Sequence, residues 1–223
     1  MSQENITVLG MKTWTVFIDL DGTLVDTSER HYRVYKDILH IVEDSTPLLK
    51  EEFWNRKRSG QKTIELLPNY FSDSVVHEFM NEWFRRIEDI TYLRYDTLVP
   101  QALTILDFLE KSAELILVTL RHNKKNLFWE LNSLGLLNYF KEVLVGSTSS
   151  NDKSRLIQEY LNKIPPCTKL AMIGDSEVDL GVGKQFSMLT IAVTYGIRSK
   201  KFLCKLEPNF CLESLSQVLD ILR

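Results

Sequence analysis

Five short apolar runs punctuate the chain: Trp14–Asp19 (WTVFID), Leu115–Thr119 (LILVT), Glu142–Gly146 (EVLVG), Lys169–Asp175 (KLAMIGD) and Thr190–Thr194 (TIAVT). Each is apolar nearly throughout and rich in β-branched residues, the pattern of strands buried on both faces of a parallel sheet. Between the runs the apolar residues recur at helical spacing. Leu103, Leu106 and Leu109 follow Pro100. Leu127, Leu131 and Leu134 precede Gly135, a C-capping glycine. Leu156, Ile157, Tyr160 and Leu161 form a stripe before the Pro165–Pro166 stop. Strand alternating with helix predicts right-handed βαβ crossovers, and so an α/β fold: a Rossmann-like core with a mainly parallel sheet flanked by helices.

One region departs from this rhythm. From Ser28 to Tyr95 no buried-strand run occurs. Val34, Ile38, Ile41 and Val42 mark one helical face, and Val75, Phe79, Trp83, Ile87 and Ile90 mark a second. The pattern predicts a small all-helical domain over residues 26–96, inserted into a core made of residues 1–25 and 97–223. Asp26–Arg30 (DTSER) and Arg94–Pro100 (RYDTLVP) would be its hinges.

The composition is that of an ordinary globular protein: of 223 residues, 44% are hydrophobic and 26% charged. A net charge of −3 argues against a nucleic-acid partner. The basic clusters Arg56–Arg58 and Arg198–Lys201 read as solvated surface. Cys167, Cys204 and Cys211 have no metal-like spacing and imply no disulfide framework. The opening MSQENITVLG lacks the regions of a signal peptide, and no apolar run approaches a membrane span. The expectation is a cytoplasmic protein with no membrane partner.

The candidate chemistry lies where the apolar runs end. In FIDLDGTLVD, Asp19 closes the first strand and Asp21 follows it. Residues i and i+2 of an extended segment project to one side, at the sheet edge where open parallel sheets bind ligands. Crowding two carboxylates opposes ionisation of both unless a cation sits between them. One carboxylate can then act as nucleophile and the other as general acid and base. Gly22 lets the backbone approach a bound anion. By itself the pair reads equally as strand-end capping. The run KLAMIGDSEVD delivers Asp175 to the same edge, and a helical turn stacks Asp179 near it. Hard oxygen ligands in this number suit Mg²⁺. Thr119 ends the second strand, and Lys153 opens the helix after the third.

The order DLDGT(L)VD, a strand-end Thr, a Lys, then GDSEVD resembles the haloacid dehalogenase superfamily, over nearly the whole chain. The helical insert resembles a C1-type cap, and the nearest likeness is to the phosphoglycolate phosphatase-like and β-phosphoglucomutase-like branch. The resemblance implies a Mg²⁺-dependent phosphatase acting on a small phosphorylated metabolite through an aspartyl-phosphate. It assigns Asp19 as nucleophile and Asp21 as general acid and base. Thr119 and the Leu120 amide hold the phosphoryl group, and Lys153 offsets charge. Asp19, Asp175, Asp179 and the Asp21 carbonyl serve the metal or its waters. A carboxylate at Asp21 separates phosphoryl transfer from dehalogenation, whose leaving halide needs no proton. The sequence departs from the family after Thr119, where many relatives carry Asn or Ser and Leu120 and Arg121 follow here; Arg121 reads either as reaching a substrate anion or, the reading preferred, as solvated. In C1 caps a loop between two helices sets specificity, and KRSGQKTIELL is the candidate here, with Gly60 for the turn and Arg58 and Lys62 for a substrate anion. The four tryptophans read as packing residues, and His31 as the histidine nearest the first motif. A sugar-phosphate mutase, or a non-catalytic regulatory protein on the same fold, shares these features. The expected assembly is a monomer or homodimer.

Overall fold

A computed structural model describes residues 13–147, 150–165 and 169–222. The leading decapeptide, Pro166 and Cys167 lie outside the described residues. In chain order the strands are β1 (Trp14–Ile18), β2 (Val25–Asp26), β3 (Thr97–Leu98), β4 (Ala113–Leu120), β5 (Glu142–Gly146), β6 (Lys169–Gly174), β7 (Leu189–Val193) and β8 (Phe210–Leu212). The helices are α1 (Ser28–Val42), α2 (Lys50–Arg58), α3 (Asp73–Arg86), α4 (Ile90–Leu93), α5 (Ala102–Leu109), α6 (Lys124–Ser133), α7 (Ser150–Leu161), α8 (Glu177–Gln185), α9 (Lys200–Leu203) and α10 (Val218–Ile221).

Six strands form one sheet in the order β5-β4-β1-β6-β7-β8, each neighbour parallel. All five apolar runs fall in it. The two-residue alternation of a strand sends Val16 and Ile18 to one face and Phe17 to the other. On the first face Val16, Ile18, Leu115, Leu117 and Ile173 pack with α5 and α6 side chains such as Leu106 and Leu131. On the second, Phe17, Ile116, Val118 and Met172 pack with Ile157 and Tyr160 of α7 and Val182 of α8. Both faces are therefore dry, which explains why these runs carry no polar phase. β8 escapes the apolar-run test because it is a three-residue edge strand, with Phe210 left exposed.

Helices α1 to α4 enclose a separate apolar cluster that includes Val34, Tyr35, Ile38, Phe53, Phe79 and Trp83. The two chain segments leading into and out of these helices run side by side, as β2 paired antiparallel with β3. The α1 stripe differs from its expected face. Tyr35 and Leu39 are buried with Val34 and Ile38, which moves the stripe's centre. Ile41 then stands about a quarter-turn from it at 100° per residue, and is 55% exposed. Helix α2 was not foreseen, since its sequence KEEFWNRKR buries just Phe53 and Lys57, one turn apart. Among the described residues no helix is long and apolar enough to cross a membrane. Cys204 and Cys211 are free thiols with Sγ atoms 2.9 Å apart.

The sheet's central packing sets the stability of the edge that carries the acidic residues. Leu117 is fully buried in the middle of β4, so Leu117→Ala is expected to cost about 3 kcal/mol in urea unfolding. A cost below about 1 kcal/mol would contradict this packing.

Candidate active site

Strands β4, β1 and β6 are adjacent and parallel, so their carboxyl ends share one edge. Thr119, Asp19 and Asp175 stand there, brought together by the sheet from distant parts of the chain. Asp19 is fixed by its own amide, which donates to the Ile173 carbonyl of β6 at 3.0 Å. Lys153 reaches the edge from the first turn of α7. Its ammonium donates to Asp19 Oδ1 at 2.6 Å and to Asp179 Oδ1 at 2.5 Å. Asp179 is fully buried. Its other oxygen accepts from the Ser176 amide (3.1 Å) and hydroxyl (2.6 Å), which closes the first turn of α8 as a capping box.

Asp175 is held from a direction the sequence did not reveal. The backbone amide of Ile197, in the loop after β7, donates to its Oδ2 at 2.5 Å. Gly22 and Gly196 flank the same carboxylate. A Cβ on either would collide with Asp175 Oδ2, and Gly22 also has φ +78°. Gly22 was expected to let the backbone approach a bound anion; the space that its missing side chain leaves is filled by Asp175.

Asp19, Asp175 and Asp179 place carboxylate oxygens within 4.8 Å of one another, all buried. Among the described residues one ammonium, that of Lys153, faces these three carboxyl groups. Burial, the Asp179 and Asp21 charges and the opposing pull of Lys153 together raise Asp19 to about 7. Burial and the neighbouring Asp19 and Asp179 push Asp175 well above the usual carboxylate range. For Lys153, burial lowers the pKa but Asp179 and Asp19 more than reverse it. Among the described residues the cluster has more carboxylates than cations, and its oxygen donors are of the type that could hold a hard divalent cation such as Mg²⁺. Asp179 is already engaged by Lys153 and Ser176, which leaves Asp19 and Asp175 as the side chains with capacity for a metal.

The Asp21 carboxylate does not join this cluster. It turns to two guanidiniums. Arg121 Nε donates to its Oδ2 and a terminal Arg121 nitrogen to its Oδ1, each at 2.6 Å, and Arg30 donates to Oδ1 as well. Burial opposes ionisation of Asp21, but Arg121 and Arg30 overcome it and hold the carboxyl well below its ordinary range. Arg121 is 3% exposed, so its reading as a solvated residue is corrected: it is a buried partner of Asp21 and of Glu130 at 3.1 Å. Arg30 lies on α1, donates to the Ile87 carbonyl at 3.1 Å, and stands 3.1 Å from Asp96. Oxygens of Asp96 and Glu130 lack a hydrogen-bond donor. A proton on Asp96 supplies one. Burial is the largest cause raising Asp96 to about 9, and Glu130 adds to it against the pull of Arg30. None of Arg30, Asp96 or Glu130 was visible from strand-end logic. A charged residue on an apolar helical stripe, as Arg30 and Glu130 are, was the available signal.

The expected specificity loop is divided. Arg58 donates to the Thr194 carbonyl at 2.6 Å and its own carbonyl accepts from the Ser199 amide. It thus fastens α2 to the end of β7. Gly60 (φ +110°) lies against Phe202. Lys62 is exposed, and Leu120 ends β4 opposite Gly146.

With this geometry in view, a model of the haloacid dehalogenase-like hydrolases matches residues 16–193. Pyrophosphatase PpaX of Listeria monocytogenes serotype 4b is 27% identical over 223 residues, 95% of this chain and 97% of its own length. Pyrophosphatase PpaX of Anoxybacillus flavithermus is 24% identical over 93% of this chain and 96% of its own. Among solved structures, a haloacid dehalogenase-like hydrolase from Streptococcus pneumoniae aligns with TM-score 0.78 at 20% identity, over 96% of this chain and all of that one. A predicted phosphoglycolate phosphatase from Haemophilus somnus aligns with TM-score 0.75 at 18% identity and the same coverage.

The Asp96 environment has a consequence for stability. The folded chain keeps a proton on Asp96 up to about pH 9, whereas the unfolded chain releases it near pH 4. This stabilisation is complete below about pH 4 and is lost as pH rises toward 9, by about 1.4 kcal/mol per pH unit at most. Asp96→Asn cannot titrate, so its stability is expected to fall less steeply than the wild type between pH 5 and 9 in urea unfolding. Parallel profiles would refute the assignment.

Proposed function

We propose that this chain, which belongs to the haloacid dehalogenase-like hydrolase family, is a Mg²⁺-dependent phosphohydrolase that works through a phosphorylated Asp19. The observation that carries this reading is the convergence of Asp19, Asp175, Asp179 and Lys153 on one buried cluster at the sheet edge. Asp19 attacks phosphorus, and the bond from phosphorus to the leaving oxygen breaks. Lys153 offsets charge between Asp19 and the incoming phosphoryl group. The Thr119 hydroxyl and the Leu120 amide hold the phosphoryl oxygens at the end of β4. Asp19 and Asp175, with the Asp21 backbone carbonyl, hold Mg²⁺, which supplies neutralisation of the phosphoryl charge when bound. Asp179 positions Lys153.

Asp21 serves the proton transfers. Paired with Arg121 and Arg30, it is a carboxylate, the form that takes a proton from the water that hydrolyses the aspartyl-phosphate. To protonate a leaving oxygen in the first half-reaction, Asp21 must first take a proton from solvent, which loss of an arginine partner favours. Arg30 is on α1, so movement of the α1–α4 unit, acting as a cap over the edge, withdraws that partner, while Arg121 stays with Asp21 on the core. The substrate class is a small phosphorylated metabolite. Pyrophosphate is the first compound to test, because the relatives at 24–27% identity carry that activity in their names.

The test is phosphate release from pyrophosphate and from p-nitrophenyl phosphate with and without Mg²⁺. Wild-type turnover is expected to require Mg²⁺, and Asp19→Asn to lower kcat by at least about 10³-fold. Asp19→Asn turning over at the wild-type rate would overturn the assigned nucleophile.

A further inference from the structure

The β8 edge of the sheet carries two thiols that the scheme above does not use. Cys211 is the middle residue of β8, opposite Ala192 of β7. Cys204 begins the single turn Cys204–Leu206 that continues α9. Glu207 (φ +47°) then bends the chain back, in the left-handed region that few residues other than glycine adopt. The return brings the two thiols face to face. Their Sγ atoms stand 2.9 Å apart, near enough for the S–H of one to point at the other sulfur. They differ in access. Cys204 is exposed and Cys211 half-buried, packed with Phe202 and Leu206 beside Leu180, Ala192 and Leu203. Burial and the neighbouring Cys204 push Cys211 up to about 12, against the pull of the Lys200 ammonium. Cys211 is thus a thiol at neutral pH, and Cys204 is the sulfur that a dissolved reagent meets first.

The chain between β7 and Cys204 carries joints to both halves of the molecule. The Ile197 amide donates to Asp175 at 2.5 Å. Arg198 grips Glu177 and donates to the Lys57 carbonyl of α2. The Ser199 amide donates to the Arg58 carbonyl at 2.9 Å. The strand to which this chain returns is short and lies at the sheet's edge: β8 has three residues, with Phe210 exposed. A bond from Cys204 to Cys211 ties the excursion to the sheet at both ends.

We propose that Cys204 and Cys211 are an oxidation site: a peroxide converts them to a reversible disulfide that staples the chain leaving β7 to the edge strand β8. The Cys204 sulfur attacks one peroxide oxygen, the O–O bond breaks, and the other oxygen leaves as water with the thiol's proton. The Cys211 sulfur then attacks the sulfenic sulfur of Cys204. The S–S bond forms, the S–O bond breaks, and the departing hydroxyl takes the Cys211 proton as a second water. Two thiols lose two electrons in all, and one peroxide is reduced to two waters. From 2.9 Å the sulfurs close by less than about 1 Å to reach the bond length of about 2.05 Å. A dithiol reverses the reaction by attack at the exposed Cys204 sulfur.

Tryptic mass mapping after treatment with hydrogen peroxide tests this. Trypsin cuts after Lys201 and Lys205, so the disulfide is read as residues 202–205 joined to the peptide that begins at Leu206. The expected result is that joined peptide, two fewer thiols open to iodoacetamide, and return of both thiols with dithiothreitol. Cys204→Ser and Cys211→Ser are each expected to lack the joined peptide, and Cys211→Ser to accumulate a sulfenic acid at Cys204 that dimedone traps. A disulfide to Cys167 or between two chains in its place would overturn the pair. So would oxygen added to Cys204 of the wild type with Cys211 still open to iodoacetamide, or both thiols left unreacted. Closing the 204–211 ring restricts the unfolded chain, so the oxidised wild type is expected to melt at least about 3 °C above the reduced protein. Amide exchange over residues 194–212 is expected to slow with it, and Cys204→Ser to melt at one temperature under both conditions. A disulfide that forms and leaves the Tm unchanged or lower would overturn the staple.

Discussion

Among the described residues one ammonium, that of Lys153, faces three buried carboxylates where β4, β1 and β6 end. The rest of the edge is arranged around that imbalance. Asp19 and Asp179 share the ammonium, while Asp175 is held by a single amide from the loop after β7. Two glycines leave room for its carboxylate. In a low-dielectric edge such a cluster must take up protons or a cation. Asp19 and Asp175, whose carboxyls hold their protons above the usual carboxylate range, give the proton answer. The cation answer is the one that the proposed attack by Asp19 requires.

A second network balances itself without a metal. Arg30 and Arg121 converge on Asp21, with Asp96 and Glu130 behind them. Arg30 belongs to α1 and Arg121 follows β4, so this network joins the inserted helices to the α/β core. Arg58 and Arg198 make further joints through the Thr194 and Lys57 carbonyls. The position of the helical unit and the ionisation of Asp21 are therefore coupled through the same guanidinium.

The buried sheet and the acidic residues at its edge were legible because both leave local marks. A doubly buried strand is apolar on both phases, and Asp19, Thr119 and Asp175 each stand at the end of such a run. Lys153 was visible as a cation at a helix start. What escaped reading was set by contacts distant in sequence. Arg121 looked solvated because its partners, Asp21 and Glu130, are identified by topology and not by spacing. Lys57 sat inside an RKR cluster that reads as surface, yet its side chain turns inward beneath Trp83. Helix α2 has too few buried residues to show a period, and β8 is too short to form a run. Gly22 was read as letting the backbone approach a bound anion, and the neighbour that lies against it is the side chain of Asp175.

The account stands or falls on where a cation and a phosphoryl group sit relative to Asp19. A crystal structure grown with Mg²⁺ and beryllium fluoride, a mimic of the transferred phosphoryl group, measures this directly. The expected result is beryllium bonded to an Asp19 carboxylate oxygen, with Mg²⁺ between Asp19 and Asp175 and Lys153 against the fluorides. Beryllium fluoride absent from Asp19, with Mg²⁺ bound away from both aspartates, would contradict it.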